Sequence, residues 1–193
     1  MRAKMTYDLT NESVWRPPSA HRVYRTIPLA VAYEVDDAIA SPHGRFSDGE
    51  RPVIYFSETA DGAVMEYLRR FPEFLHLQDA LSIRVFELEV APSMKTLEAR
   101  SSDNSALMQF PHERFFSSER DETTRYSECR ALAQDVHISE GVGLSTPCAA
   151  DASNERTNVT LFGRRGETWS TNSCEEIQRP SVQPTHVRLI SMA

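Results

Sequence analysis

The sequence predicts an α+β domain built around a mostly β core. Three observations carry this reading. Short runs with strand alternation, or with strand-length apolar content, outnumber the long helical patterns. The 193 residues, 40% hydrophobic and 25% charged, have an ordinary globular composition and suit one domain with a core of reasonable size. No internal repeat or low-complexity tract points to a solenoid or a linker.

In chain order, residues 1–19 are polar and end in Arg16-Pro17-Pro18, where two prolines stiffen the chain. This stretch reads as an N-terminal tail, with Trp15 packing it onto a domain formed by residues 20–193. Residues 21–27, HRVYRTI, alternate as a strand, with Val23, Arg25 and Ile27 on one face and Tyr24 and Thr26 on the other. Arg25 among apolar neighbours needs an anionic partner, either a protein carboxylate or a ligand. Residues 28–47 hold an apolar segment, LAVAYEV, and then Pro42-His43-Gly44-Arg45. Gly44 permits a tight turn. Arg45 offers a planar fork suited to a pyrophosphate, although a solvated loop arginine fits the same residues.

Residues 52–57, PVIYFS, form a continuous apolar run typical of a central strand, in which Tyr55 reads as core. Ser57 or Thr59 can cap a helix reaching about residue 71, with Ala60, Val64, Tyr67, Leu68 and Phe71 as its apolar stripe. At ~100° per residue, Glu66 falls off that stripe and is expected to face solvent. Residues 81–90, LSIRVFELEV, alternate as a half-buried strand that Pro92 ends. Residues 101–124 are polar and read as an insertion or variable loop, anchored by Phe115-Phe116. Residues 126–135 have helical spacing with Cys129 on the packing face. Residues 140–144 form a turn, and GVGLSTP lacks the lysine and spacing of a Walker loop. Residues 158–162, NVTLF, are a strand; 163–183 are polar and irregular; 186–190, HVRLI, are a last short strand.

Composition bounds the function. A formal charge of −7, from 28 acidic and 21 basic residues, argues against a broad nucleic-acid-binding face while leaving local basic pockets open. The cysteines Cys129, Cys148 and Cys174 are widely spaced with no CxxC pair, so neither a zinc site nor a disulfide framework is expected. No histidine–carboxylate cluster calls for a metal. The start, MRAKMTYDL, lacks an apolar signal core, and no apolar run has membrane-spanning length. A cytoplasmic protein without a membrane segment is expected; export without a cleaved signal stays open.

Chemistry concentrates between Gly44 and Glu66. A basic loop supplies Arg45, the strand supplies Tyr55 and the helix supplies Glu66. A cation, a ring and a carboxylate from three successive elements suit a ligand that is anionic at one point, carries a flat ring and reacts through a developing positive charge. NAD has that form.

The ordered series VYRTIP, GRF, PVIYFSETADGAVMEYL, ECRALAQD, GVGLSTPCAA and NVTLF resembles the RES domain, the toxin of Xre-RES toxin–antitoxin pairs. The likeness spans roughly residues 22–163, and its most specific part is the GR(F/W) loop with the strand and helix that follow. It implies an ADP-ribosyltransferase-like fold, with a split, strongly curved β core, flanking helices and a cleft for NAD. The resemblance puts the family's arginines on Arg25 and Arg45, its strand tyrosine on Tyr55 and its glutamate on Glu66, with Tyr24 a further NAD-binding candidate. The family's serine falls on Cys148, since this chain reads GLSTPC where the family commonly has serine after the proline. The thiol keeps the size of the hydroxyl but is a weaker donor.

The resemblance implies an enzyme that consumes NAD as substrate, without a metal, by hydrolysis or by phosphorolysis with inorganic phosphate. It also implies a cognate Xre-type antitoxin as partner. Two alternatives accompany it: a protein ADP-ribosyltransferase on the same fold, and a catalytically weakened NAD- or protein-binding module, which Cys148 motivates.

Overall fold

The computed structural model describes residues 5–17, 22–28, 39–40, 44–90, 95–116, 122–164, 166, 169–178, 180 and 182–188. Their frame is a nine-stranded sheet. From one edge to the other the order is β1 (Trp15–Arg16), β6 (Thr96–Glu98), β7 (Gly143–Pro147), β8 (Thr157–Phe162), β4 (Pro52–Ser57), β2 (Arg22–Pro28), β5 (Leu81–Val90) and β9 (Trp169–Ile177), with β3 (Ile39–Ala40) paired to β4. Among the described strands only β6 and β7 run parallel, joined by a crossover that contains α2 (Ser102–Leu107) and α3 (Glu122–Ile138). The sheet curls into a half-barrel, and β2 meets β4 at a single register pair, Tyr24↔Ser57. That narrow junction splits it into two parts, which gives the α+β class its curved, split core.

The alternation of side chains assigns the two faces. On one face Val23, Ile54, Phe56, Phe86, Val159, Leu161 and Trp169 form an apolar cluster. On the other, two clusters lie apart. One packs α3 and the N-terminal segment onto Val53, Leu97, Leu144 and Phe162. The second packs α1 (Ala60–Arg70) onto Leu81 and Ile83 through Val64, Met65 and Leu68. Each fully buried aliphatic side chain there contributes roughly 1.5–3 kcal/mol.

α1 begins where expected. Thr59 caps it, its hydroxyl accepting from Gly62 N at 3.2 Å. Pro72 disfavours helical geometry at Phe71, which closes the last turn through its N–H to Tyr67 O at 2.9 Å.

Several expectations need correction. The stretch read as a tail is part of the domain: Leu9, Val14 and Trp15 are buried, and β1 pairs with β6. Asp135 of α3 holds that segment by accepting from Thr6 N and Tyr7 N, each at 2.7 Å. Of the stretch 101–124, residues 101–116 are not a surface insertion, because α2 and the 3-10 turn His112–Phe116 send Met108, Phe110 and Phe115 into the core, whereas 117–121 lie outside the described residues. β5 is buried on both faces from Leu81 to Phe86, since β2 and β9 flank it and each face carries its own apolar cluster. Part of the polar stretch 163–183 is β9, and residues 184–186 form a 3-10 turn followed by one bridge, Asp151↔Val187. The segment LAVAYEV lies outside the described residues.

Candidate active site

Between the two apolar clusters the sheet carries a strip of polar side chains. The register Leu144↔Thr160↔Tyr55 makes one row and Thr146↔Asn158↔Ser57↔Tyr24 the next. Leu144, Thr146, Thr160 and Ser57 on it are buried, whereas Tyr55 is 37% exposed although β4 is a central strand. Its hydroxyl is fixed nonetheless, accepting from Phe46 N at 3.1 Å. A Cβ on Gly44 would lie 2.5 Å from that oxygen, so the glycine is needed for the loop to close over the tyrosine. Burial of the hydroxyl pushes the Tyr55 pKa up to about 12. The result is a neutral, partly exposed ring with an anchored edge and Phe46 stacked 6.4 Å away.

Beneath it, Thr146 Oγ1, Thr160 Oγ1 and Asn158 Oδ1 are buried without hydrogen-bond partners. Each such group destabilises a fold by about 1–3 kcal/mol if left dry, and three on one strip mark a place where polar ligand groups or water complete the bonding.

Glu66 stands at the α1 side of the strip. Its Oε1 accepts from Asn158 Nδ2 at 2.7 Å, from Ala150 N at 3.3 Å and from the Cys148 thiol at 3.4 Å. Oε2 takes none of these bonds and stays open. Burial pushes this carboxyl up, but the Arg45 and Arg69 guanidiniums and the bonds from Asn158 and Ala150 outweigh it and hold the pKa below the usual value. The residue is half-buried, which corrects the solvent-facing expectation. Periodicity measures α1 against one partner, the sheet beneath it, whereas Glu66 meets a second, the turn after β7.

That turn is braced. Asp151 accepts from Ser153 N, Ser153 Oγ, Glu155 N, Arg156 N and Arg156 Nη1 at 2.8–3.1 Å. Burial works against its ionisation, yet these donors bring its pKa down to about 2. Arg156 Nε then donates to Asp61 Oδ2 on α1 at 2.7 Å. The turn carrying Cys148 and Ala150 is thereby tied to the helix carrying Glu66.

The cations come from the other side. Arg45 lies between two buried neighbours, Gly44 and Phe46, so its direction is set by the loop. Its guanidinium sits 5.8 Å from the Tyr126 ring centroid, and Arg130 of α3 sits 5.9 Å from the same ring while Nε donates to Gly44 O at 3.4 Å. Burial lowers the Arg45 pKa, but Glu66 together with Cys129, Tyr126 and Tyr55 outweighs it and leaves the pKa raised. Arg69, one helical turn after Glu66 and 3% exposed, is pulled down to about 10 by burial and then by Arg45, against the pull of Glu66. Two guanidiniums thus share one carboxylate.

The expected site residues divide accordingly. Glu66, Arg45, Tyr55 and Cys148 come together. Tyr24 shares the face but packs with the apolar cluster under α1. Arg25 is on the opposite face: it pairs with Arg84 in the register and alternates with Tyr24, which puts it on the side of Val23. Cys148 is fully buried, and burial together with Glu66 raises its thiol well above the usual range. It is a neutral donor and not a nucleophile.

Sequence reasoning passed over Arg69 and Asn158. Arg69-Arg70 reads as ordinary last-turn cations, and Asn158 as a strand boundary. Among the described residues no group of three or more His, Cys, Asp or Glu could hold a metal, and no helix is long and apolar enough to cross a membrane.

A family model described as the RES domain matches residues 13–182. Among solved structures, a chain of the crystal structure of the M. tuberculosis MbcT-MbcA toxin-antitoxin complex superposes with a TM-score of 0.58 at 12% identity, over 82% of this chain and 84% of that chain. At that identity the likeness is one of fold. No curated protein sequence matches the chain.

Proposed function

The chain belongs to the RES domain family, and from that premise we propose that it binds NAD and breaks the bond between nicotinamide and ribose. One observation supports this above the rest. A carboxylate whose pKa is held below its usual value, with three donors on one oxygen, stands beside the guanidiniums of Arg45 and Arg69 and a partly exposed tyrosine ring.

In the proposed complex the diphosphate takes Arg45 and Arg69, the nicotinamide stacks on Tyr55, and ribose hydroxyls meet the unpartnered Asn158, Thr146 and Thr160 oxygens. Arg69 takes the place that the resemblance gave to Arg25. As the C–N bond lengthens, nicotinamide leaves with the bonding pair and positive charge grows on the ribosyl carbon. Oε2 of Glu66 stabilises that charge without prior rearrangement, because Oε1 is already held. The acceptor oxygen of water or phosphate then adds to the carbon and loses its proton.

The Cys148 thiol keeps a hydrogen bond to Glu66, which favours an active enzyme over a weakened binding module. The reading extends to a cytoplasmic toxin whose growth arrest a cognate Xre-type antitoxin relieves.

Incubation of the purified protein with NAD, with and without phosphate, followed by mass analysis, tests the reaction. Free ADP-ribose signifies hydrolysis, ADP-ribose 1″-phosphate signifies phosphorolysis, and a protein adduct signifies transfer. Intact NAD in both incubations overturns the proposal.

A further inference from the structure

The family match ends at residue 182, yet the chain beyond it returns to the cleft. Val187 bridges Asp151, and Arg188 N donates to Ala150 O at 2.7 Å. The backbone of Arg188 is therefore pinned to the same turn whose Ala150 N–H holds Glu66.

From there the side chain reaches across. Its guanidinium lies 4.8 Å from the centroid of Phe116, which belongs to the 3-10 turn beside α3. The remaining contacts are neutral acceptors, Asn154 Oδ1 at 2.8 Å from Nη2 and Ala149 O at 3.4 Å from Nη1. No carboxylate is among these partners. Arg69 feels the charge as a repulsion, so the two guanidiniums share one electrostatic neighbourhood.

We propose that Arg188 is a third cationic residue of the substrate site and binds the diphosphate of a nucleoside diphosphate group. This deepens the NAD reading and rests on it for the substrate class. The charge fits. Glu66 acts on both Arg45 and Arg69, and Arg188 adds a positive charge beside Arg69. A diphosphate diester carries two negative charges. The ring of Phe116 and two neutral oxygens hold the guanidinium more weakly than an anion would, so a diphosphate can draw it away without breaking an ion pair.

The test is calorimetric binding of ADP to the wild type, Arg188→Gln and Arg188→Lys, with thermal melting of each. Loss of a charge-assisted contact is expected to raise the Kd for ADP at least ~10-fold in Arg188→Gln, while Arg188→Lys stays within ~3-fold of wild type. An unchanged Kd in Arg188→Gln overturns the proposal. So does an equal loss in both variants accompanied by a lower Tm, which signifies a structural role, and so does a wild type that does not bind ADP. NAD turnover by the wild type is measured separately. Turnover with ADP binding insensitive to Arg188→Gln removes this residue and leaves the function standing. ADP binding sensitive to the variant, without turnover, does the reverse.

Discussion

Glu66 and Arg45 face the same cleft and are held in opposite ways. Three donors converge on one oxygen of Glu66, and the turn that supplies two of them is tied back to α1 through Asp151, Arg156 and Asp61. Arg45 is held by the rings and loops around it, and its Nε is buried without a hydrogen-bond partner. The carboxylate end is preorganised and the cationic end is unsaturated. A group that must meet a transient charge gains from being fixed beforehand, because rearrangement during the reaction would add to the barrier. A group that must capture a stable anion gains from keeping its donors open until the anion arrives.

The largest expected effect breaks the fixed end. Glu66→Gln keeps an oxygen for Asn158 and Ala150 but takes the counter-charge from Arg45 and Arg69, so a stability loss of roughly 1–3 kcal/mol is expected. NAD turnover should fall at least ~100-fold, because the charge aimed at the ribosyl cation is gone. NAD affinity should hold or tighten, since the cleft becomes more positive. Turnover, Kd and Tm of this variant check all three. The pH profile carries the same signature. Glu66 titrates below its ordinary value of 4.5, so turnover should stay level down to that pH and fall only as acid protonates the carboxylate. Its contribution to stability runs in the same direction, present above the unfolded-state pKa and lost as pH drops through the folded one.

Next in size, Arg45→Gln attacks the open end. KM for NAD should rise ~10-fold or more with kcat changed far less, the reverse of the Glu66 pattern. Equal losses in kcat for both variants would erase the distinction between the two ends.

A smaller effect comes from Asp151→Asn, which touches no substrate and loosens the brace. Turnover is expected to drop by a few-fold to ~10-fold, with a lower Tm and little change in KM. In the parent protein this carboxylate titrates near about 2. Its contribution to stability is complete above its ordinary 3.8 and fades as pH falls toward 2, and Asp151→Asn should flatten that acid limb of a melting-temperature profile.

The smallest is Cys148→Ser. Oxygen replaces sulfur as donor to Glu66, and activity should remain within ~3-fold of wild type. A loss approaching that of Glu66→Gln would give the thiol a chemical role that its geometry does not suggest.

These two ends were unequally legible in the sequence. The helix with Thr59 at its cap, the central strand bearing Tyr55 and the turn at Gly44 follow from local rules, and they place three site residues. β9 was not legible, because WSTNSCEEI has no apolar alternation; it is an edge strand shaped by its partner β5. Arg69 was hidden for a related reason. Two arginines ending a helix satisfy its dipole, and only the fold reveals that one of them is buried beside Glu66. Arg25 shows the converse. Motif order assigned it to the cleft, and the register turns it to the other face.

The pairing of β4 with β8 has a consequence for time. Ser57 donates to the carbonyl of Thr157, 100 residues later in the chain, and the cleft floor is made of just such rows. Contacts this distant in sequence form late and slowly, because a long loop must close before they are rewarded. On a ribosome, helix α1 with Glu66 emerges long before Asn158 exists to orient it. The proposed site therefore assembles only once β8 has been made, and a nascent or truncated chain that stops short of β8 carries the glutamate without Asn158 to orient it.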